Sequence, residues 1–139
     1  MMTNEARATT LVRALRAGIE GDRQALSSLF TDDVRAWTPA LSTSSLSELI
    51  AELDRRDDAF SDMDLEALPL DVGGDHACAE WTVGMTHTGK ITLSGDESIE
   101  PSGIRVTLHG ITVAEFQGDR ICSLRQYWDE FALFEQLTR

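Results

Sequence analysis

From Asn4 to Glu20 the apolar residues Ala8, Leu11, Val12, Leu15 and Ile19 recur at helical spacing, which predicts an amphipathic helix ending between Gly18 and Gly21. Asp22 stands where it would cap a second, shorter helix with Ala25, Leu26, Leu29 and Phe30 as its buried stripe, and Thr31-Asp32-Asp33 ends that helix. Val34 to Thr38 reads as a short strand stopped by Pro39. Ser45-Leu46-Ser47-Glu48 has the spacing of a capping box, and Leu46, Leu49, Ile50 and Leu53 follow it, so a third helix is expected from Leu46 to about Asp57.

After Phe60-Ser61-Asp62-Met63 the period changes to two. Met63, Leu65, Ala67 and Pro69 alternate with Asp64, Glu66 and Leu68, and Gly73-Gly74-Asp75 turns the chain into a hairpin. The longest strand runs from His76 to Thr88. There Ala77, Ala79, Trp81, Val83, Met85 and His87 alternate with Cys78, Glu80, Thr82, Gly84 and Thr86, and large or polar groups on both faces leave the inner one unassigned. Gly84 is a candidate bulge, which would reverse the parity beyond it. Lys90 to Gly103 is a polar excursion. Arg105 to Phe116 resumes the strand pattern, Gln117-Gly118-Asp119-Arg120 turns it, and a last strand runs to Trp128 before a helix begins near Glu130. Kept at period two, that strand puts Ile121, Ser123, Arg125, Tyr127 and Asp129 on one face and Cys122, Leu124, Gln126 and Trp128 on the other. Helices first, antiparallel hairpins next and a short helix last make an α+β chain.

A length of 139 residues fits one domain, 1–139. With 24 acidic against 12 basic residues the net charge is −12, which argues against nucleic acid or an anionic membrane as partner, since both need a basic footprint. No apolar run reaches the roughly 20 residues of a membrane span, and the first residues lack the charged-then-apolar order of a signal peptide. The expected location is cytoplasmic. Cys78 and Cys122 lie in separate strand-like runs and read as buried, reduced thiols, and a disulfide would require those strands to be neighbours.

Several of these stretches together resemble the SnoaL-like polyketide cyclases of the nuclear transport factor 2-like superfamily, which also holds ketosteroid isomerases and limonene epoxide hydrolases. They are the helical start, Phe60-Ser61-Asp62-Met63 entering a strand, Thr86-His87-Thr88-Gly89 ending one, Pro101-Ser102-Gly103 before the next, and Trp128-Asp129 ahead of Gln136-Leu137. The resemblance implies a cone of curved antiparallel sheet closed by the helices around an apolar pocket, in a homodimer that takes a hydrophobic small molecule. It also implies Asp129 as the acid/base that removes a proton beside a carbonyl. The chain departs from the family pattern at Ser61, where proline is usual, and at Thr138, where glycine is usual. The hydrolases' Arg-x-Asp is replaced by Glu80-Trp81-Thr82, so epoxide opening, which needs both an oriented water and an acid, lacks part of its apparatus.

A carboxylate becomes a useful base near neutral pH when burial raises its pKa, and aromatic neighbours of Asp129 could supply that burial. The competing role is to cap the last helix through the N–H groups of Glu130 to Ala132. Arg125 could bind a substrate oxyanion or pair with Asp129, and the imidazole of His109, or less favourably His87, could polarise a carbonyl. Trp37, Trp81 and Tyr127 could offer flat faces to a polycyclic ligand, although aromatic strand residues are more often core. Asp96, Glu97 and Glu100 share one loop with no second element to complete a metal shell. There is no phosphate-cradling glycine loop, Cys-x-x-Cys, Gly-x-Ser-x-Gly or zinc-helix motif, so neither cofactor nor metal is expected. Two classes of function remain: a cofactor-independent cyclase or isomerase acting through Asp129 and His109, and a non-catalytic binding or dimeric assembly domain on the same fold.

Overall fold

The computed structural model describes residues 2–55, 59–92 and 97–138. The end of the third helix at Asp57, and Asp96 of the acidic loop, lie outside them. Helix α1 (Asn4–Glu20) starts where the Thr3 hydroxyl accepts the Ala6 N–H at 3.0 Å. It stops at Gly21, whose φ of 69° closes the last turn at a conformation other residues seldom adopt. Asp22 caps α2 (Arg23–Leu29) through the Ala25 N–H. Phe30 is buried, but as the first residue of β1 (Phe30–Thr38) and not as the last of the helix. The strand therefore starts earlier than its polar Thr31-Asp32-Asp33 suggested, because pairing along the last strand outweighs local propensity.

A short β2 (Leu41–Thr43) folds back on β1, and α3 (Leu46–Arg55) follows. Its capping box forms: the Ser45 hydroxyl accepts the Glu48 N–H, and the Glu48 carboxylate accepts the Ser44 N–H. The long strands are β3 (Phe60–Leu70), β4 (His76–His87), β7 (Arg105–Gln117) and β8 (Arg120–Trp128). A two-stranded ribbon of β5 (Ile91–Thr92) and β6 (Ser98–Ile99) lies in the polar excursion, and α4 (Glu130–Leu137) closes the chain.

The main sheet has the order β2-β1-β8-β7-β4-β3. It is antiparallel except where β1 runs parallel to β8. The sheet is curved, its inner face lies under the helices, and the α+β cone expected from the resemblance is the observed architecture. Helix α1 packs on β4 and β3, α3 on β1, and α4 on β7. Leu11, Leu15, Leu26, Leu29, Phe30, Val34, Val106 and Ile121 are the centre of the core. Burying each such side chain contributes about 1.5–3 kcal/mol.

Two bulges decide which side chains share a face. On β8, Ile121 pairs with Phe116 and Ser123 with Glu115, so Cys122 is an extra residue. Ile121 thus joins Leu124, Gln126 and Trp128 on the inner face, while Ser123, Arg125 and Tyr127 turn outward. The single face expected for Ile121, Ser123, Arg125, Tyr127 and Asp129 does not exist. The second bulge lies in β3 opposite Gly84, between Ser61 and Asp64, and includes Asp62 at a φ of 53°. Parity along β4 is consequently unbroken, and the whole row from Ala77 to His87 is inward and buried. The Arg105 guanidinium, seated against Gly84, holds this bulge through the Asp62 carbonyl, Thr86 and Asp64.

Candidate functional site

The six candidate residues divide between the two faces of the sheet. Trp81 lies on the inner face, 7 % exposed, with its ring across Gly110. A Cβ at Gly110 would stand 2.3 Å from the Trp81 ring, so only glycine admits the indole there. The Trp81 N–H donates to Thr112 Oγ1 at 2.9 Å, and the Gln126 amide donates to the same oxygen at 3.1 Å. Trp128 meets the Trp81 ring edge-on at a centroid distance of 6.2 Å, and its own N–H donates to Glu130. Trp81, Thr112, Gln126 and Trp128 are thus a polar-centred aromatic cluster inside the cone. Thr112 and Gln126 were not singled out from the sequence, where each is one more polar residue in an alternating strand; their meeting depends on the β4-β7-β8 register.

Trp37, Arg125, Tyr127 and His109 face outward. Trp37 and Tyr127 are 43 % and 45 % exposed and pack ring to ring at 5.2 Å. Arg125 lies 3.9 Å from Glu115, which also holds His76 at 3.0 Å, so its partner is Glu115 and not Asp129. His109 Nδ1 is 3.0 Å from the Thr82 hydroxyl across the β4-β7 pair. Asp129 is exposed and is the N-cap of α4, accepting the Ala132 N–H on Oδ1 at 3.0 Å. The capping role weighed against catalysis is the one the geometry records.

Four of the six candidates nevertheless meet. His109, Tyr127 and Asp129 line an open groove of about 780 Å³ that crosses the outer face, with Glu66, Leu68, Glu80 and Ile111 beside them and Trp81 and Trp128 forming part of its floor. Trp37 and Arg125 are not among its lining residues.

The inner wall has a different chemistry. Leu65, Ala67 and Leu108 point inward but are only half-buried, as are Ile50, Leu53 and Phe134 on the helices packed against the same core. At the end of the inward row of β4, His87 is fully buried. Its Nδ1 lies 3.0 Å from the Ser102 hydroxyl and receives the Ser102 backbone N–H at 3.3 Å, and its ring packs against Phe60 at 5.7 Å. A serine therefore does stand beside a histidine, a pairing invisible in the sequence because the two residues are fifteen positions apart. No third group orients this pair for nucleophilic chemistry among the described residues, since His87 Nε2 has no partner.

Cys78 is buried and Cys122 half-buried, on strands separated by β7, and both are free thiols. Burial raises the pKa of each, assisted by the charge of Glu80 at Cys78 and of Glu115 at Cys122. Among the described residues no three His, Cys, Asp or Glu side chains gather as a metal site, and no helix is long and apolar enough to cross a membrane.

The fold is shared with solved structures of low sequence identity. TsrD from Streptomyces laurentii is 22 % identical, with a TM-score of 0.81 over 99 % of this chain and 98 % of that one. A SnoaL-like protein from Jannaschia sp. CCS1 is 17 % identical, with a TM-score of 0.81 over 96 % and 92 %. An LEH-like epoxide hydrolase of M. tuberculosis is 16 % identical, with a TM-score of 0.71 over 96 % and 90 %. No curated protein matches the chain. The sequence pattern of the SnoaL-like polyketide cyclases matches residues 9–137, nearly the full length that builds the cone. By that match, and by the curved sheet and helices it spans, the chain belongs to the SnoaL-like polyketide cyclase family.

Proposed function

We propose that this protein binds a hydrophobic, carbonyl-bearing small molecule against the inner wall of its cone and does so without Asp129 as a general base. The observation that carries this reading is the state of Asp129, exposed and engaged by the Ala132 N–H. Proton abstraction from carbon calls for a dry acid, and this one serves a helix end. The half-buried inward surface of Leu65, Leu108, Leu53 and Phe134 supplies apolar area that a ligand would cover. We further propose a homodimer, formed through the outer face, where Trp37, Tyr127 and Leu68 are exposed together. A cytoplasmic location suits two free thiols.

The cyclase or isomerase reading is favoured by one specific feature: Asp129, His109 and Tyr127 line the same groove. There Asp129 would take the proton, and His109 or Tyr127 would hold the enolate oxygen. Epoxide hydrolysis has less support, since Glu80-Trp81-Thr82 stands in place of the hydrolases' Arg-x-Asp and leaves Thr82 where the second acid would be.

Incubating the wild type and Asp129→Asn with 2-acetylnaphthalene in D2O separates the two. Binding without catalysis predicts saturable association and no protein-dependent deuterium uptake at the methyl carbon. Uptake driven by the wild type and lost in a folded Asn variant would replace this reading with the enzyme.

A further inference from the structure

Resting on the proposed homodimer, we infer that its contact is fixed by a reciprocal ion pair, in which Arg125 of each copy meets the partner's Glu80.

The cross-strand register sets the outward side chains in transverse rows. One row runs Trp37, Arg125, Val113, Cys78 and Leu70 from β1 to β3, and the next runs Tyr127, Ile111, Glu80 and Leu68 from β8 to β3. The flanking rows are polar, with Arg35, Ser123, Glu115 and His76 on one side and His109, Thr82 and Glu66 on the other. An apolar centre inside a polar rim is the anatomy of a protein interface. Each central row carries one charge, a cation at Arg125 and an anion at Glu80.

Neither charge is fully partnered within the chain. Glu80 is exposed, and among the described residues it makes no hydrogen bond or ion pair. Arg125 lies 3.9 Å from Glu115, beyond hydrogen-bond distance, and Glu115 already holds His76 at 3.0 Å. The five N–H donors of this guanidinium thus await an acceptor. Arg105, by contrast, is committed to the Asp62 carbonyl, Thr86 and Asp64. Covering the two apolar rows would take Arg125 and Glu80 out of water together, which is unfavourable unless each finds an opposite charge.

Their placement makes the surface complementary to itself. Arg125 is on β8 and Glu80 on β4, the strands either side of β7, and the two residues are one row apart. A two-fold axis between two facing sheets, crossing β7 between Val113 and Ile111, sets Arg125 over the partner's Glu80. The same axis sets Glu80 over the partner's Arg125, because in an isologous contact residue i meets j and j meets i. A second copy therefore supplies both missing charges at the required spacing.

The test is sedimentation equilibrium of the wild type, Glu80→Arg, Arg125→Glu and the variant carrying both changes, each checked for folding by its far-ultraviolet spectrum. Either single reversal brings like charges together twice per dimer and should raise the dimer Kd at least about 100-fold. The doubly changed protein restores both pairs and should return to within about 10-fold of the wild type. An equimolar mixture of the two single variants should associate for the same reason, since each copy carries the charge its partner needs. Undiminished dimerisation of a folded single variant, or a mixture that remains single chains, would overturn the ion pair and leave the homodimer standing. If the wild type is itself a single chain at high micromolar concentration, the homodimer fails and the pair with it. Should a reversal prevent folding, Glu80→Gln, Arg125→Gln and their combination complete the same cycle: effects on Kd that overlap support the pair, and effects that simply add refute it.

Discussion

Asp129 shows how one residue type in one sequence context serves two physical ends. An aspartate after an aromatic pair and before an amphipathic run is both a candidate base and a good helix cap, and the recorded bond to Ala132 is the cap. Asp129→Ala is expected to lose about 1 kcal/mol of stability in urea denaturation, while Asp129→Asn stays within a few tenths, because asparagine caps as well. Gly110→Ala should be costlier, about 1–3 kcal/mol with altered tryptophan fluorescence, since the new methyl would meet the Trp81 ring and the Tyr127 carbonyl. The thiols make a pH prediction. Their pKa values are raised in the folded state, so above about pH 9 the unfolded chain loses thiol protons that the folded one keeps. Their contribution to stability is complete below the unfolded pKa and is lost as pH rises through the folded one. Replacing both cysteines by alanine should flatten the alkaline limb of the stability profile, whatever it does to stability at neutral pH.

Among the elements, α4 is held by more than its apolar face. Gln136 bridges to β7 with both ends of its amide, accepting from the Thr107 N–H and donating to the Thr107 carbonyl, each at 2.9 Å. Gln136→Ala should cost about 1–2 kcal/mol and speed amide exchange at Thr107 ahead of the rest of β7; uniform exchange along the strand would refute that anchoring. The bulges show why strand faces are hard to read from alternation. Period two correctly grouped Arg125 with Tyr127, and it placed Ile121 with them because an extra residue at Cys122 leaves no mark in the hydrophobic pattern. Gly84 did mark an irregular place, but the bulge belongs to the neighbouring strand at Asp62, where Arg105 pins it.

For the whole molecule, the uncovered outer face is the consequential feature. Trp37, Tyr127 and Leu68 together expose apolar surface of the kind that marks contact sites. Sedimentation of the wild type should give about twice the 15.3 kDa chain, and Trp37→Asp combined with Tyr127→Asp should give the single chain with an unchanged far-ultraviolet spectrum. A wild type that sediments as one chain at high micromolar concentration would remove the dimer.

The helices, the order of the long strands' segments and the membership in a cone-forming family were legible because they depend on local quantities: apolar spacing, the Asp22 cap, the Ser45 to Glu48 box, and turns at Gly74 and Gly118. Each is a short-range property of the backbone and its nearest side chains. Which face a residue occupies, and so whether Arg125 and Tyr127 look into the cone or out of it, was settled by one additional residue at Cys122 and by pairing across strands far apart in the chain. The same is true of Ser102 beside His87 and of Trp81, Thr112 and Gln126 converging on one oxygen. Register is a long-range quantity. A slip of one position exchanges the two faces of a strand while leaving its alternation intact, and the energy that selects between the two is gained only when the sheet closes over its core.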